Sequence, residues 1–278
     1  MAIAHSRESF YRLVQRFPKR KQILMEGDSW IGHPLPHVSN LTVQLNRYLN
    51  GRCNILSLGE VSHLAAEMMS GSQLRFLQSV LKGQQFDFSL LIFSAGGNDI
   101  LDNTNDAFSL YKLIVKAEGN EPRNYINNAL WQEMLASVKE AYLTLLATRD
   151  KIRPELPIIA HTYEYIYPRN KGAEVFFNTV RGPWVLPVML CKHITSQQLQ
   201  RDIISVLLQD FKQMLLDVSV THKLFYVVDT HNTLLVHQQW GIEVPEWDDE
   251  IHPNKDGFKR LVTERLGPAV KVALAARS

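Results

Sequence analysis

Cysteine is scarce in this chain: Cys53 and Cys191 are the only two among 278 residues, far apart and without a CxxC or Cys/His spacing. A disulfide framework and a zinc site of the cysteine type are thereby excluded, and free thiols in a reducing compartment are expected. Charge of one sign is lacking too. The 30 basic and 28 acidic residues leave a formal net charge of +2, with the basic residues scattered, so nothing argues for a nucleic-acid partner. No stretch is long and uncharged enough to span a bilayer. Residues 1–20 intersperse His5, Arg7, Glu8, Arg12 and Arg16 among apolar residues, unlike the unbroken apolar run of a secretory signal. A soluble, cytoplasmic protein is expected. Repeats, low-complexity tracts and linkers are missing as well, so the expectation is one domain over 1–278, with a core at about 20–275.

What the sequence does contain is alternation. Short apolar runs at Gln22–Glu26, Asn54–Leu58, Phe88–Ser94, Leu156–Tyr163 and Leu224–Val228 read as strands. Phe88–Ser94 is nearly continuous in apolar residues, as for a strand buried on both faces. Helical spacing occupies Val38–Leu49, Trp131–Ala147, Gln197–Val218 and Asn254–Ala275. Strand and helix in turn predict a parallel sheet covered by helices on both faces. Asp102–Pro122 and Glu164–Ser196 fit this scheme poorly. They follow the third and fourth strands, and excursions at the carboxyl ends of parallel strands commonly carry function.

The polar punctuation falls at those same ends. Gly27-Asp28-Ser29, Gly59 and Gly96-Gly97-Asn98-Asp99 close three successive predicted strands, and a parallel sheet gathers such ends on one edge. Asp249-Glu250-Ile251-His252-Pro253 stands just before the last helix, with Pro253 suited to a first helical turn. A serine hydroxyl is a weak nucleophile until an oriented base takes its proton, and the oxyanion that develops needs fixed donors. Ser29 is the candidate nucleophile, on a turn where Gly27 permits unusual backbone angles. His252, with an ordinary pKa of about 6.5, is the candidate base, and Asp249 can turn back to fix its tautomer. The N–H groups of Ser29 and Gly59 and the amide of Asn98 are the candidate oxyanion donors. Singly, each is an ordinary turn or cap residue. Their conjunction in order, each at a predicted strand end or helix start, carries the argument.

These blocks resemble those of the SGNH (GDSL) hydrolase superfamily, over about Gln22 to Phe258. The resemblance implies a three-layer α/β/α, flavodoxin-like fold with a five-stranded parallel sheet in the order 2-1-3-4-5. It also implies hydrolysis of a small-molecule acyl or acetyl ester by Ser29, His252 and Asp249, with Ser29, Gly59 and Asn98 as oxyanion hole, and no cofactor or metal. Trp30 stands where the family more often has Leu. Family spacing selects Asp249 over its competitor Glu250 as the orienting acid. Asp28 and Asp99, with Gly27 and Gly96, are expected to support the turns they occupy.

Two other readings compete. Asp229-Thr230-His231 with Gly-Gly-Asn-Asp mimics fragments of a metal-dependent phosphoesterase, although the order of motifs is wrong for that family. A binding module on the same scaffold is the second, since fold alone proves no function. His33 and His37 are spaced like a helical metal pair, but Pro34 and Pro36 between them predict a loop near the site entrance. Glu164–Ser196 is rich in aromatic and aliphatic residues. A lid or wall over an acyl pocket, with Trp30, Phe177 and Trp184 as possible substrate contacts, is one expectation, and core packing or a dimer contact is an equal one.

Overall fold

The computed structural model describes residues 2–32, 39–101, 109–174, 180–235, 241 and 243–276. The chain opens with a two-residue strand β1 (Ile3–Ala4) and helix α1 (Arg7–Arg16), whose first turn is closed by a reciprocal capping box between Ser6 and Ser9. Strand β2 (Gln22–Gly27) leads through the Ser29 turn to α2 (Leu41–Tyr48) and β3 (Asn54–Ser57). Then come α3 (Ala65–Met68), α4 (Gly71–Lys82), β4 (Phe88–Ser94), α5 (Gly97–Leu101) and α6 (Leu110–Leu113). The long α7 (Asn128–Ile152) precedes β5 (Ile158–His161). A small antiparallel pair, β6 (Ala173–Glu174) and β7 (Val180–Arg181), is followed by α8 (Leu186–Cys191), α9 (Gln197–Thr221) and β8 (Phe225–Val228). Helix α10 (Lys255–Leu261) passes through a π-helical stretch at Val262–Leu266 into α11 (Gly267–Ala275).

Among the described residues the main sheet has six strands, all parallel, in the order β1-β3-β2-β4-β5-β8. The five expected strands are present in the expected order 2-1-3-4-5. The sixth is β1, which extends the edge by pairing Ile3 with Ile55 and Ala4 with Leu56. Two residues carry no readable period, which is why composition could not announce it. Helices α3 and α4 pack with α7, which also meets α9, while α2 and α10 lie against the π-helical stretch and α11 reaches β4. The central strands β2 and β4 are apolar on both faces because both are covered: Ile23, Leu24, Met25, Leu90, Leu91, Ile92 and Phe93 are fully buried.

Sheet and helices are also tied at the end remote from the polar turns. Arg149 near the C-terminus of α7 is buried and donates to the carbonyls of Leu156 (2.8 Å) and Lys223 (2.9 Å), the segments that enter β5 and β8. No helix among the described residues is long and apolar enough to cross a membrane.

Candidate active site

The site begins where β2 ends. Gly27 has φ +155°, and a Cβ there would stand 2.3 Å from the Ser94 carbonyl oxygen on β4, so no other residue fits. The chain then turns tightly: the Asp28 carbonyl accepts from the N–H groups of Ile31 and Gly32, both at 3.0 Å. The buried Asp28 carboxylate accepts from Trp30 N–H (3.0 Å) and Ser94 Oγ (3.2 Å), and its other oxygen accepts from the Tyr163 hydroxyl. Burial raises the Asp28 pKa against these donors. The acid therefore braces the turn from beneath and leaves the Ser29 side chain directed elsewhere.

Ser29 Oγ lies 2.8 Å from His252 Nε2, and His252 Nδ1 lies 2.7 Å from Asp249 Oδ2. An ionised carboxylate can only accept, so Nδ1 carries the proton and Nε2 is left to accept from the Ser29 hydroxyl. The second Asp249 oxygen accepts from the backbone N–H groups of Ile251 and His252, both at 2.8 Å, which locks the three-residue turn expected from the sequence. Burial alone would raise Asp249, but the charge and hydrogen bond of His252 with these two N–H groups hold it below its ordinary value. For His252 burial works downwards, and Asp249 outweighs it, with Asp28 and Asp248 adding to the rise, so the imidazole sits above 6.5. Its side chain keeps 17% exposure, enough to meet a ligand.

Asn98 follows Gly96 and Gly97 at the end of β4. Its Nδ2 donates to the His63 carbonyl at 3.0 Å, and that nitrogen carries a second hydrogen. Asp99 accepts from Ala65 N–H at 2.9 Å, joining this turn to the start of α3, and burial pushes its carboxyl up to about 7. A crevice of about 20 Å³ brings Ser29, Asn98 and His252 together, with Trp30, Leu101, Tyr163, Ile166, Leu208 and Ile251 among its walls.

Gly59 is placed differently. Its Cβ position is 2.6 Å from Gly32 N, and a Cβ on Gly32 would fall 2.0 Å from the Gly59 carbonyl, so the two glycines cross back to back. Gly59 lines a separate, larger cavity of about 630 Å³ together with Glu26, Glu60, His63 and Gln73. Glu26 is buried there, with its own neighbour Gly27 N–H at 3.2 Å as donor, and burial together with Glu60 pushes its carboxyl up to about 8.

Of the expected substrate contacts, Trp30 is 4% exposed and packs against His161, Tyr163 and Phe258 while lining the crevice. Trp184 sets its ring nearly perpendicular to that of His252, with centroids 5.8 Å apart. Phe177, His33 and His37 lie outside the described residues. Asp229 and His231, the fragments of the phosphoesterase reading, form their own cluster at the end of β8, where Lys212 holds Asp229 at 2.5 Å.

Several residues escaped sequence reasoning. Tyr163, at the end of a predicted strand, had a positional signal; Glu164 had none, and Glu250 stood out only as a rival to Asp249. Glu250 points away from His252 and accepts four backbone N–H groups, from Arg169 (3.1 Å), Trp184 (2.5 Å), Val185 (2.8 Å) and Leu186 (2.8 Å). Glu164 does the same for Tyr165, Asn232 and Leu234 at 2.8 Å and Thr233 at 2.6 Å. Burial raises both carboxyls, Glu250 to about 7, against the pull of these donors.

No family model matches the sequence, and neither does any curated protein. Solved structures do match in shape. The lipase Lip_vut3 from a goat rumen metagenome is 13% identical, with TM-score 0.54 over 91% of this chain and 97% of its own. A carbohydrate esterase of family 3 from Talaromyces cellulolyticus is 10% identical, with TM-score 0.53 over 93% and 100%. A protein described as a GDSL-like lipase from Bacteroides ovatus is 14% identical, with TM-score 0.50 over 93% of this chain and 55% of its own. The chain shares its fold with these lipases and esterases.

Proposed function

We propose that this protein is a serine hydrolase of carboxylic esters. The observation that carries the reading is the unbroken relay from Ser29 Oγ to His252 Nε2 at 2.8 Å and from His252 Nδ1 to Asp249 at 2.7 Å, open to a crevice. His252 Nε2 takes the hydroxyl proton as Ser29 Oγ bonds to the ester carbonyl carbon. The resulting oxyanion is met by Ser29 N–H and the second Asn98 amide hydrogen. Collapse expels the alcohol, which receives the proton from His252 and leaves an acyl group on Ser29. Water then attacks that acyl group by the same route, the acid departs, and the hydroxyl is restored. Asp249 stays ionised throughout and steadies the imidazolium. Gly59, which crosses Gly32 too closely to carry a side chain, is the third candidate donor through its N–H.

The crevice walls include the apolar residues Trp30, Leu101, Ile166, Leu208 and Ile251, which suits the acyl part of an ester. The test is direct. A fluorophosphonate should label the wild type at Ser29, and Ser29→Ala should abolish both labelling and hydrolysis of p-nitrophenyl acetate with circular dichroism unchanged. Full activity in a folded Ser29→Ala variant rejects the reading.

A further inference from the structure

The residue that follows Asp249 in the chain has no part in the relay, yet it is the most heavily bonded carboxylate near it. Glu250 is fully buried, and its two oxygens gather four main-chain N–H groups from two separate places, Arg169 and the run Trp184–Leu186. The grip is reciprocal: Glu250 N–H donates to the Lys171 carbonyl at 3.1 Å, and the buried Arg169 donates through Nη2 to the Asp249 carbonyl at 2.5 Å. Trp184, held by its own N–H, closes the arrangement by setting its ring nearly perpendicular to that of His252.

Adjacent side chains thus divide the work. Asp249 turns inward to His252, and Glu250 turns outward to the excursion that leaves β5. Both are fixed to one peptide link, so displacing Glu250 displaces Asp249 and the imidazole with it. We propose that Glu250 is a positioning residue acting through Asp249 and His252, and that the described parts of 164–196 are a fixed buttress behind His252. This deepens the serine-hydrolase reading and rests on it. A cover that opens over substrate would alter substrate binding. A buttress alters the turnover of bound substrate.

The experiment compares wild type, Glu250→Gln and Arg169→Gln on p-nitrophenyl acetate. It records kcat, KM, the pH profile and the rate of Ser29 labelling by a fluorophosphonate. Gln at 250 keeps the shape but turns an NH₂ group toward backbone donors. Because misplacement by about 1 Å costs on the order of 10²-fold, Glu250→Gln should lower kcat by about 10- to 100-fold with KM within about twofold. Labelling should slow in parallel. The acid limb of the profile, governed by His252 facing Asp249, Asp28 and Asp248, should move down toward 6.5 as Asp249 loosens. Arg169→Gln removes one contact and should show the same pattern at about 3- to 10-fold. If Glu250→Gln does not fold, Arg169→Gln decides alone. A folded variant whose kcat and acid limb match the wild type, or one whose loss appears only in KM, overturns the proposal. A wild type that is not labelled at Ser29 instead rejects the hydrolase reading, and with it this inference.

Discussion

Replacing Glu26 by Gln should stabilise this protein in alkaline solution and do little at pH 4. Glu26 is the last residue but one of β2 and is 9% exposed, and burial beside Glu60 lifts its carboxyl from the ordinary 4.5 to about 8. Between those values the unfolded chain has lost the proton while the folded chain keeps it. The folded state therefore binds more protons, and stability falls as pH rises through the window. At about 1.4 kcal/mol per pH unit, the loss accumulates to at most about 5 kcal/mol by pH 8 and then levels off. Gln cannot ionise, and its carbonyl oxygen can still accept from Gly27 N–H. Its unfolding free energy should therefore lack this decline. Urea denaturation of both proteins at pH 4, 6, 8 and 9 measures the difference. Asp99 and Glu250, each raised to about 7, bend both curves equally, so the gap between the curves isolates Glu26. The gap should open from near zero at pH 4 to several kcal/mol at pH 9. A gap that stays constant from pH 4 to 9 would refute the reasoning, because it would mean that the carboxyl ionises in the folded protein as easily as in water.

Three further outcomes concern the reaction. Asn98→Ala should reduce kcat about 10²- to 10³-fold with KM nearly unchanged, as expected for loss of one oxyanion donor, and steady-state kinetics would distinguish this from weaker ground-state binding. Because Asp249 holds His252 above 6.5, wild-type activity should decline as pH falls through that raised value, since the protonated imidazole cannot accept from Ser29. Asp249→Asn should lower kcat by roughly 10⁴-fold and move the acid limb to lower pH, which a pH–rate profile would record.

The strand scaffold was legible because buried parallel strands write themselves as apolar runs and their exits require turn residues. Phe88–Ser94 appears with the boundaries read from sequence, and β2 runs one residue past its expected end, to Gly27. The relay was legible for a local reason. Asp249 and His252 are three residues apart, and a turn of that span forms its own hydrogen bonds. Long-range roles were not. Glu250 was visible only as a rival to Asp249, because the backbone groups it binds lie 64 to 81 positions away and bear no side-chain signature. The glycine at 59 announced a turn, but only packing reveals that it crosses Gly32 too closely to carry a side chain. Helices α1 and α4 passed unread between clearer elements, and α7 begins three residues before the expected Trp131 and ends five after Ala147.

Glu164 and Glu250 fasten their loops through main-chain N–H groups alone, and such a fastening is blind to side-chain identity. Val185 and Leu234 remain constrained because they are buried, whereas Trp184, Leu186 and Asn232 are not fully enclosed. Libraries at these three positions should therefore preserve the loop path, and at Trp184, whose ring meets His252, they change the surroundings of the base while leaving the scaffold alone. Such a library omits proline, which lacks the hydrogen by which each position is held, and at Asn232, with φ +55°, it favours Gly, Asn and Asp.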